Sequence, residues 1–227
     1  MARLTRLVVP GQAHYVIQRG QSGQVALAQA ADRELLARLM AQAARAEQVQ
    51  LHAIALLDNE LQLLCTPVTS QGLSQMMQAV GRRYVSAYNQ RHGRAGSLWD
   101  GRFRCAVVEP GAVLLEVLCL IDGLEGTATD PPRTTAGQRA GGRTLATVVD
   151  PPEYWALGNT PFDREQAYRQ RLAAGVASAR AQALRSAALG GWAIGSPVFL
   201  SQIAKTSGRP VAPRPRGRPR RSELVKT

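Results

Sequence analysis

The chain has 227 residues, and 28 Lys+Arg against 16 Asp+Glu give it a formal net charge of +12. Such an excess of positive charge is typical of proteins that bind the phosphates of nucleic acids. No apolar run approaches the roughly 18 residues of a membrane span, the first residues lack a signal-peptide core, and the three cysteines lack metal-ligand spacing. We therefore expect a cytoplasmic, nucleoid-associated protein without membrane contact, disulfide framework or zinc site.

Strand and helix patterns alternate through the first 125 residues. A β-rich stretch ends at Gly20, and an apolar stripe with helical spacing follows it. Two further β-rich stretches flank a turn at Asp58 and Asn59, which predicts a hairpin. In chain order, the predicted elements are strand 12–19, helix 32–47, strands 49–57 and 61–66, helix 73–88, strand 103–109 and helix 112–124.

This order, β-α-β-β-α-β, predicts an α+β fold of the ferredoxin-like type, with one sheet and two helices on one face. The fold hosts RNA binders, metal chaperones and nucleases, so it does not determine the function. We expect four regions: a ferredoxin-like domain over 1–125, a loop or linker over 126–153, a helical appendage over 154–207 and a basic tail over 208–227. The appendage has helical patterns over 162–189, with a break near Gly175, and over 197–204.

Five segments of the chain carry a resemblance to a known family. They are MARLTRLVVPGQAHYVIQRG at the start, HAIALLDNELQLLCTP at 52–67, MMQAVGRRYVSAYNQRHGRAGSLWDGRFR at 76–104, YWALGNTPFDREQAYR at 154–169 and RPRGRPRR at 214–221. In this order they resemble the bacterial REP-associated tyrosine transposases, relatives of the small single-strand transposases with a His-hydrophobic-His motif. The resemblance extends over nearly the whole chain.

The resemblance implies cleavage of single-stranded DNA beside a hairpin. A tyrosine is the nucleophile in that family, and two histidines hold a divalent metal ion. The histidine positions correspond here to Glu60 and Gln62, which strand alternation places side by side, and the tyrosine position falls on Leu120. Because a leucine cannot attack phosphorus, we predict a DNA-binding protein that has lost strand cleavage and needs no cofactor.

An active transposase or endonuclease with altered ligands is the alternative. Carboxylate and amide oxygens suit Mg²⁺ or Mn²⁺, so Glu60 and Gln62 remain candidate metal ligands, with the nucleophile unassigned. Tyr84 and Tyr88 carry hydroxyls, but both lie on the apolar stripe of a helix, which favours packing in the core. Cys119, beside Leu120 in sequence, is more typical of a small buried residue.

A third hypothesis, an RNA-binding sheet, has little support in the sequence. It requires aromatic side chains on the central strands, and Tyr15 and Phe103 are the candidates, without an RNP signature. The histidines His14 and His52 are more typical of strand residues than of metal ligands.

Two clusters of arginines are predicted to contact DNA. The first flanks the second helix and the fourth strand and contains Arg82, Arg83, Arg91, Arg94, Arg102 and Arg104. The second is the tail, where residues 209–227 carry seven basic side chains and one acidic side chain, a net charge of +6. The expected partner is DNA, as a single strand or a hairpin, and the oligomeric state is open.

The tail contains a pattern that resembles an AT-hook. Its core is Arg216, Gly217, Arg218 and Pro219, and its flanking arginines are Arg214, Arg220 and Arg221. In such a motif glycine lets the backbone approach the groove floor, and the guanidiniums enter the narrow minor groove of A·T-rich duplex. Non-specific phosphate attraction and a solvated tail without a role are the alternatives. In each case we expect the free tail to be disordered.

Overall fold

The computed structural model describes residues 5–27, 29–124, 134–139 and 148–213. Four strands form one sheet in the spatial order β2-β3-β1-β4, and each neighbouring pair is antiparallel. The predicted α+β class is confirmed. The strands are β1 (Ala13–Arg19), β2 (Val49–Leu57), β3 (Glu60–Pro67) and β4 (Arg104–Val108).

Two long helices cover one face of the sheet. These are α1 (Ala30–Ala46) and α2 (Gly72–Arg91), and both form because their apolar side chains recur at helical spacing. Tyr84 and Tyr88 belong to this core, as predicted, and their hydroxyls donate to the backbone oxygens of residues 26 and 25, at 2.6 and 2.9 Å. Neither hydroxyl is therefore a free nucleophile.

The opposite face of the sheet is also covered. Helix α3 (Ala112–Asp122) packs on β2 and β3, and helix α7 (Ser178–Gly190) packs on β1 and β4. Tyr15 lies beneath this second layer and is 1% exposed. A sheet that binds RNA by stacking needs open aromatic rings, and Tyr15 does not offer one.

The segment predicted as a loop contains a short helix, α4 (Ala136–Arg139), and lies partly against the core. The backbone nitrogen of Thr135 donates to the backbone oxygen of Ile54 on β2 at 3.0 Å. In return, the backbone nitrogen of Ile54 donates to the Thr135 hydroxyl at 2.9 Å. Arg139 is fully buried and pairs with Asp122 at 2.9 Å. Sequence composition alone could not reveal these long-range contacts.

The C-terminal part is helical, as predicted, and contains α5 (Pro152–Trp155), α6 (Pro161–Ala174), α7 and α8 (Pro197–Ser207). Gly175 has a φ of 66° and ends α6, which places the break at the predicted position. Beyond α8 the chain stays on the core, because the Ala193 nitrogen donates to the Val211 oxygen at 2.9 Å and Val211 is buried. Residues 209–213 thus contact the folded part, although we predicted a tail from 208.

Candidate nucleic-acid interface

Glu60 and Gln62 lie at the start of β3, on the face that α7 covers. The neighbouring strand places Arg19 opposite Glu60 and Ile17 opposite Gln62. The side chains of Leu61 and Leu63 point into the other core, as strand alternation predicts. Glu60 is 3% exposed and Gln62 is 1% exposed, so both polar side chains need partners inside the protein.

A chain of hydrogen bonds supplies these partners. The Tyr15 hydroxyl donates to Gln62 Oε1, and Gln62 Nε2 donates to Glu60 Oε1 at 2.5 Å. Arg185 on α7 donates from its two terminal nitrogens, one to each carboxylate oxygen of Glu60. We call these four residues the Glu60 network.

Tyr15 is the residue of this network that the sequence analysis did not connect with Glu60. Burial raises the pKa of its hydroxyl above the ordinary value; the nearby Arg185 charge opposes this shift, and the Glu60 charge adds to it. The hydroxyl is therefore protonated at neutral pH and acts as a donor. The observed register explains the contact, because Tyr15 pairs with Leu64, which lies two residues from Gln62 on the same face; the sequence analysis predicted no register between these two strands.

The Glu60 network does not fit a divalent metal ion. Both oxygens of Glu60 accept hydrogen bonds from the Arg185 guanidinium, so a cation bound there would lie beside a second positive charge. Within the described part of the chain, no group of three or more His, Cys, Asp or Glu side chains could hold a metal.

Leu120, which the sequence resemblance places at the family's nucleophile position, lies on α3. Leu120 is partly buried there and packs against the apolar cluster between α3 and the sheet. The adjacent Cys119 is 6% exposed, and burial raises the pKa of its thiol. Neither side chain offers an exposed nucleophile. His14 and His52 are buried and bonded to backbone oxygens at 2.8 and 2.7 Å.

Arginines gather where β1 ends and where β3 and β4 begin. Neighbouring depressions at this end of the sheet share arginine side chains in their walls, and the two that Arg19 lines also contain the carboxylate of Asp100. We call this surface the arginine band. Its members are Arg6, Arg19, Arg102, Arg104, Arg185 and Arg209.

Four arginines of the band line one cavity of about 210 Å³, and none of the described carboxylates lines it. They are Arg6, Arg102, Arg104 and Arg209. Burial lowers the pKa of Arg6, and the charges of Arg102 and Arg104 lower it further. Unneutralised positive charges in one cavity favour an anionic ligand, and a phosphate is the anion that arginine binds with two parallel hydrogen bonds.

The protein holds two of these side chains in place through backbone oxygens. Arg6 lies over the Phe103 ring at 3.9 Å from guanidinium carbon to ring centroid and donates to the Phe103 oxygen at 3.2 Å. Arg209 donates to the oxygens of Thr5 and Gly191. A carboxylate, Asp100, lines the neighbouring depression beside Arg19, so the negative charge nearby lies outside the four-arginine cavity.

The arginines that the sequence analysis predicted to bind DNA do not all lie on one surface of the structure. Arg102 and Arg104 belong to the band, whereas Arg82 and Arg83 are exposed on α2. Two others have partners within the chain: Arg91 pairs with Asp32, and Arg94 donates to Gln24 at 2.6 Å. The tail positions lie outside the described residues: Arg214, Arg216, Gly217, Arg218, Pro219, Arg220 and Arg221.

The sequence analysis missed three members of the band, because residues 6, 19 and 185 are far apart in the chain and single arginines carry no motif; Arg209 belonged to the predicted basic cluster at 209–227. Among the described residues, no helix is long and apolar enough to cross a membrane.

The chain matches no family model and no curated protein. It is similar to a solved structure of a REP-associated tyrosine transposase bound to a REP hairpin, with 14% identity, a TM-score of 0.48 and coverage of 66% of this chain and 93% of that chain. It is also similar to the crystal structure of a putative transposase from Deinococcus radiodurans R1, with 21% identity, a TM-score of 0.36 and coverage of 48% and 88%. Both TM-scores are below 0.5, so the likenesses carry no functional weight here.

Proposed function

We propose that this protein binds DNA through the arginine band and is a member of the REP-associated tyrosine transposase family that does not cleave its substrate. The observation that carries the proposal is the cavity that Arg6, Arg102, Arg104 and Arg209 line, where the described part of the chain places no carboxylate. A DNA strand presents regularly spaced phosphates, and a continuous arginine surface could bind several of them.

The family part of the proposal rests on the quoted sequence segments. The segment 76–104 ends in the band with Arg102 and Arg104, and the segment 52–67 carries Glu60 and Gln62. The strand order β2-β3-β1-β4, with α1 and α2 on one face, supports a ferredoxin-like sandwich.

The loss of cleavage is supported by what replaces the catalytic groups. Arg185 neutralises Glu60 at the metal position, and an apolar side chain, Leu120, stands at the nucleophile position. Where the family would hold a metal ion beside the scissile phosphate, this chain has the ion pair between Glu60 and Arg185, which helps to hold α7 on the sheet.

Binding is tested with a hairpin oligonucleotide that carries a single-stranded flank. The double variant Arg102→Gln/Arg104→Gln should bind more weakly than the wild type and should flatten the slope of log K against log salt by roughly 1.4 to 1.8 units. The matched control, Arg82→Gln/Arg83→Gln, removes the same charge from the exposed surface of α2 and should have a smaller effect. Equal losses in both variants would show that net charge, and not the band, determines binding.

Cleavage is tested by incubating the same oligonucleotide with Mg²⁺ or Mn²⁺. We expect no cleaved strand and no covalent adduct, and Leu120→Tyr alone should not restore either, because the metal position stays occupied by the Glu60 network. A denaturant-resistant protein-DNA species in the wild type would contradict the proposal.

The alternative is an active enzyme that uses altered residues, and one contact favours it: the Tyr15 hydroxyl lies within hydrogen-bond reach of Gln62. If an adduct forms in the wild type and is lost in Tyr15→Phe, this enzyme replaces the non-cleaving protein as the function. The raised pKa of Tyr15 and its burial argue against that result.

A further inference from the structure

A groove of about 500 Å³ lies between α2 and the chain that leads into β4. Two of its lining residues, Arg6 and Arg102, also line the four-arginine cavity, so the groove and the arginine band are continuous. The rest of its lining differs from the band, because it is uncharged. Four glutamines are prominent in it: Gln18, Gln71, Gln75 and Gln78.

The glutamines bring donors and acceptors to the groove. Gln18 on β1 is 7% exposed, and its Nε2 donates to the Gly101 oxygen at 3.2 Å, which fixes the orientation of its amide. An amide presents an acceptor and a donor side by side, which matches the edge of a nucleobase and of adenine in particular. A phosphate, in contrast, offers acceptors only and gains most from guanidiniums.

An aromatic plane completes the groove. Trp99 lines it and is half-buried, and its ring stacks on Tyr84 with centroids 5.9 Å apart and an interplanar angle of 28°. The Tyr84 hydroxyl is itself held by the core. A ring supported in this way is a rigid platform, and nucleic-acid bases stack on such platforms whatever their sequence.

From this arrangement we infer that the groove binds one unpaired base of a DNA strand whose neighbouring phosphates lie on the arginine band. The inference rests on the proposed function and specifies its substrate. The base must be unpaired, because a base in a duplex bonds through its edge to the complementary base and could not enter a groove beside α2. The base stacks on Trp99, the glutamines bind its edge, and Arg102 binds the adjoining phosphate.

One residue allows the groove to be closed without a change in charge. Gly81 lies in the middle of α2 and lines the groove, and a Cβ there would meet no other atom within 4 Å. Gly81→Leu therefore fills the groove, and because leucine is the better helix former the variant should stay folded. The matched control is Ser86→Leu, at an exposed position of the same helix that does not line the groove.

The experiment measures binding of two octanucleotides with the same number of phosphates at one salt concentration. One is abasic at every position, and the other carries a single adenine at its centre. The wild type should bind the adenine-bearing strand about tenfold more tightly. Gly81→Leu should reduce this ratio to below about threefold and leave the affinity for the abasic strand unchanged, whereas Ser86→Leu should keep the wild-type ratio.

The outcomes separate the base site from the proposed function. Equal wild-type affinities for the two strands, or an unchanged ratio in Gly81→Leu, would overturn the base site and leave DNA binding intact. If neither strand binds, the proposed function fails as well. Free dAMP should not displace the octanucleotide at comparable concentrations, since it carries one phosphate whereas the strand places several on the band. Displacement would assign the groove to a free nucleotide and overturn the inference.

Discussion

Arg185 on α7 donates hydrogen bonds to both carboxylate oxygens of Glu60 on β3, although 125 positions of sequence separate the two residues. The sequence resemblance implies a metal ligand at the position of Glu60, and the observed pair joins the C-terminal helices to the sheet. Glu60 is almost fully buried, whereas the Arg185 side chain is 38% exposed. Without the pair, the Glu60 carboxylate would stay buried with no opposite charge, whereas water could still solvate the Arg185 guanidinium.

This dependence predicts the effect of removing the arginine. Arg185→Met should lower the free energy of unfolding by about 2 kcal/mol, less than for a fully buried pair because solvent screens the exposed guanidinium. Urea unfolding at pH 7 measures the change. The double variant Glu60→Gln/Arg185→Met also removes the unpaired buried carboxylate, so it should recover part of the lost free energy of unfolding. A double variant no more stable than Arg185→Met would show that the unpaired Glu60 charge does not cause the destabilisation.

The elements of the fold were largely predictable because they are encoded locally. The apolar stripe of α2 and the turn at Asp58 and Asn59 are patterns of neighbouring residues, and the structure has a helix and a hairpin there. The break after α6 was predictable for the same reason, since Gly175 adopts a positive φ that other residues avoid.

The site was less predictable, because its partners come from distant parts of the chain. The resemblance implied that Glu60 and Gln62 stand at the family's metal-ligand positions, but nothing near them in sequence indicates that Arg185 or Tyr15 would bond to them. The buried contact of Arg139 with Asp122 was equally hidden, because Arg139 lies in a segment that its composition predicts to be a loop. Long-range ion pairs have no sequence period, so local patterns cannot reveal them.

His14 predicts a pH dependence of stability. Burial lowers the pKa of His14 to about 4, although its hydrogen bond to the Gln12 oxygen opposes this shift, and its Nε2 accepts a hydrogen bond from the Val9 nitrogen at 3.1 Å. In the unfolded chain the side chain takes up a proton near pH 6.5, whereas in the folded protein it stays neutral until about pH 4. The unfolded state thus binds more protons between these values, and stability should fall as the pH drops through this window, by on the order of 3 kcal/mol in total.

Urea unfolding at pH 7.5 and at pH 4.5 measures this fall, with His14→Gln as the comparison. Glutamine can accept from Val9 and donate to Gln12 without titrating, so the variant should lose less stability on acidification. Part of the fall should persist, because burial also lowers the pKa of His52. Identical pH profiles for the wild type and the variant would exclude His14 as the source.

The basic tail predicts a change in salt dependence. Because residues 209–213 contact the core, the deletion should begin after Pro213, and it then removes six basic residues and one acidic residue, a net charge of +5. If about five of these charges meet phosphates of duplex DNA, the slope of log K against log salt should flatten by roughly 4 to 5 units. An unchanged slope would exclude the tail as a phosphate contact and leave the arginine band as the binding surface.

The AT-hook pattern makes a separate prediction, since it requires shape as well as charge. Gly217→Val keeps every charge of the tail but adds a branched side chain where the backbone must lie against the floor of the minor groove. The preference for A·T-rich over G·C-rich duplex should fall by on the order of 1 to 3 kcal/mol, as for a lost base-specific contact. Paired titrations of the two duplexes at one salt concentration measure it. A wild type that does not distinguish the duplexes would reduce the tail to an electrostatic anchor for the folded part, because charge alone attracts both sequences equally.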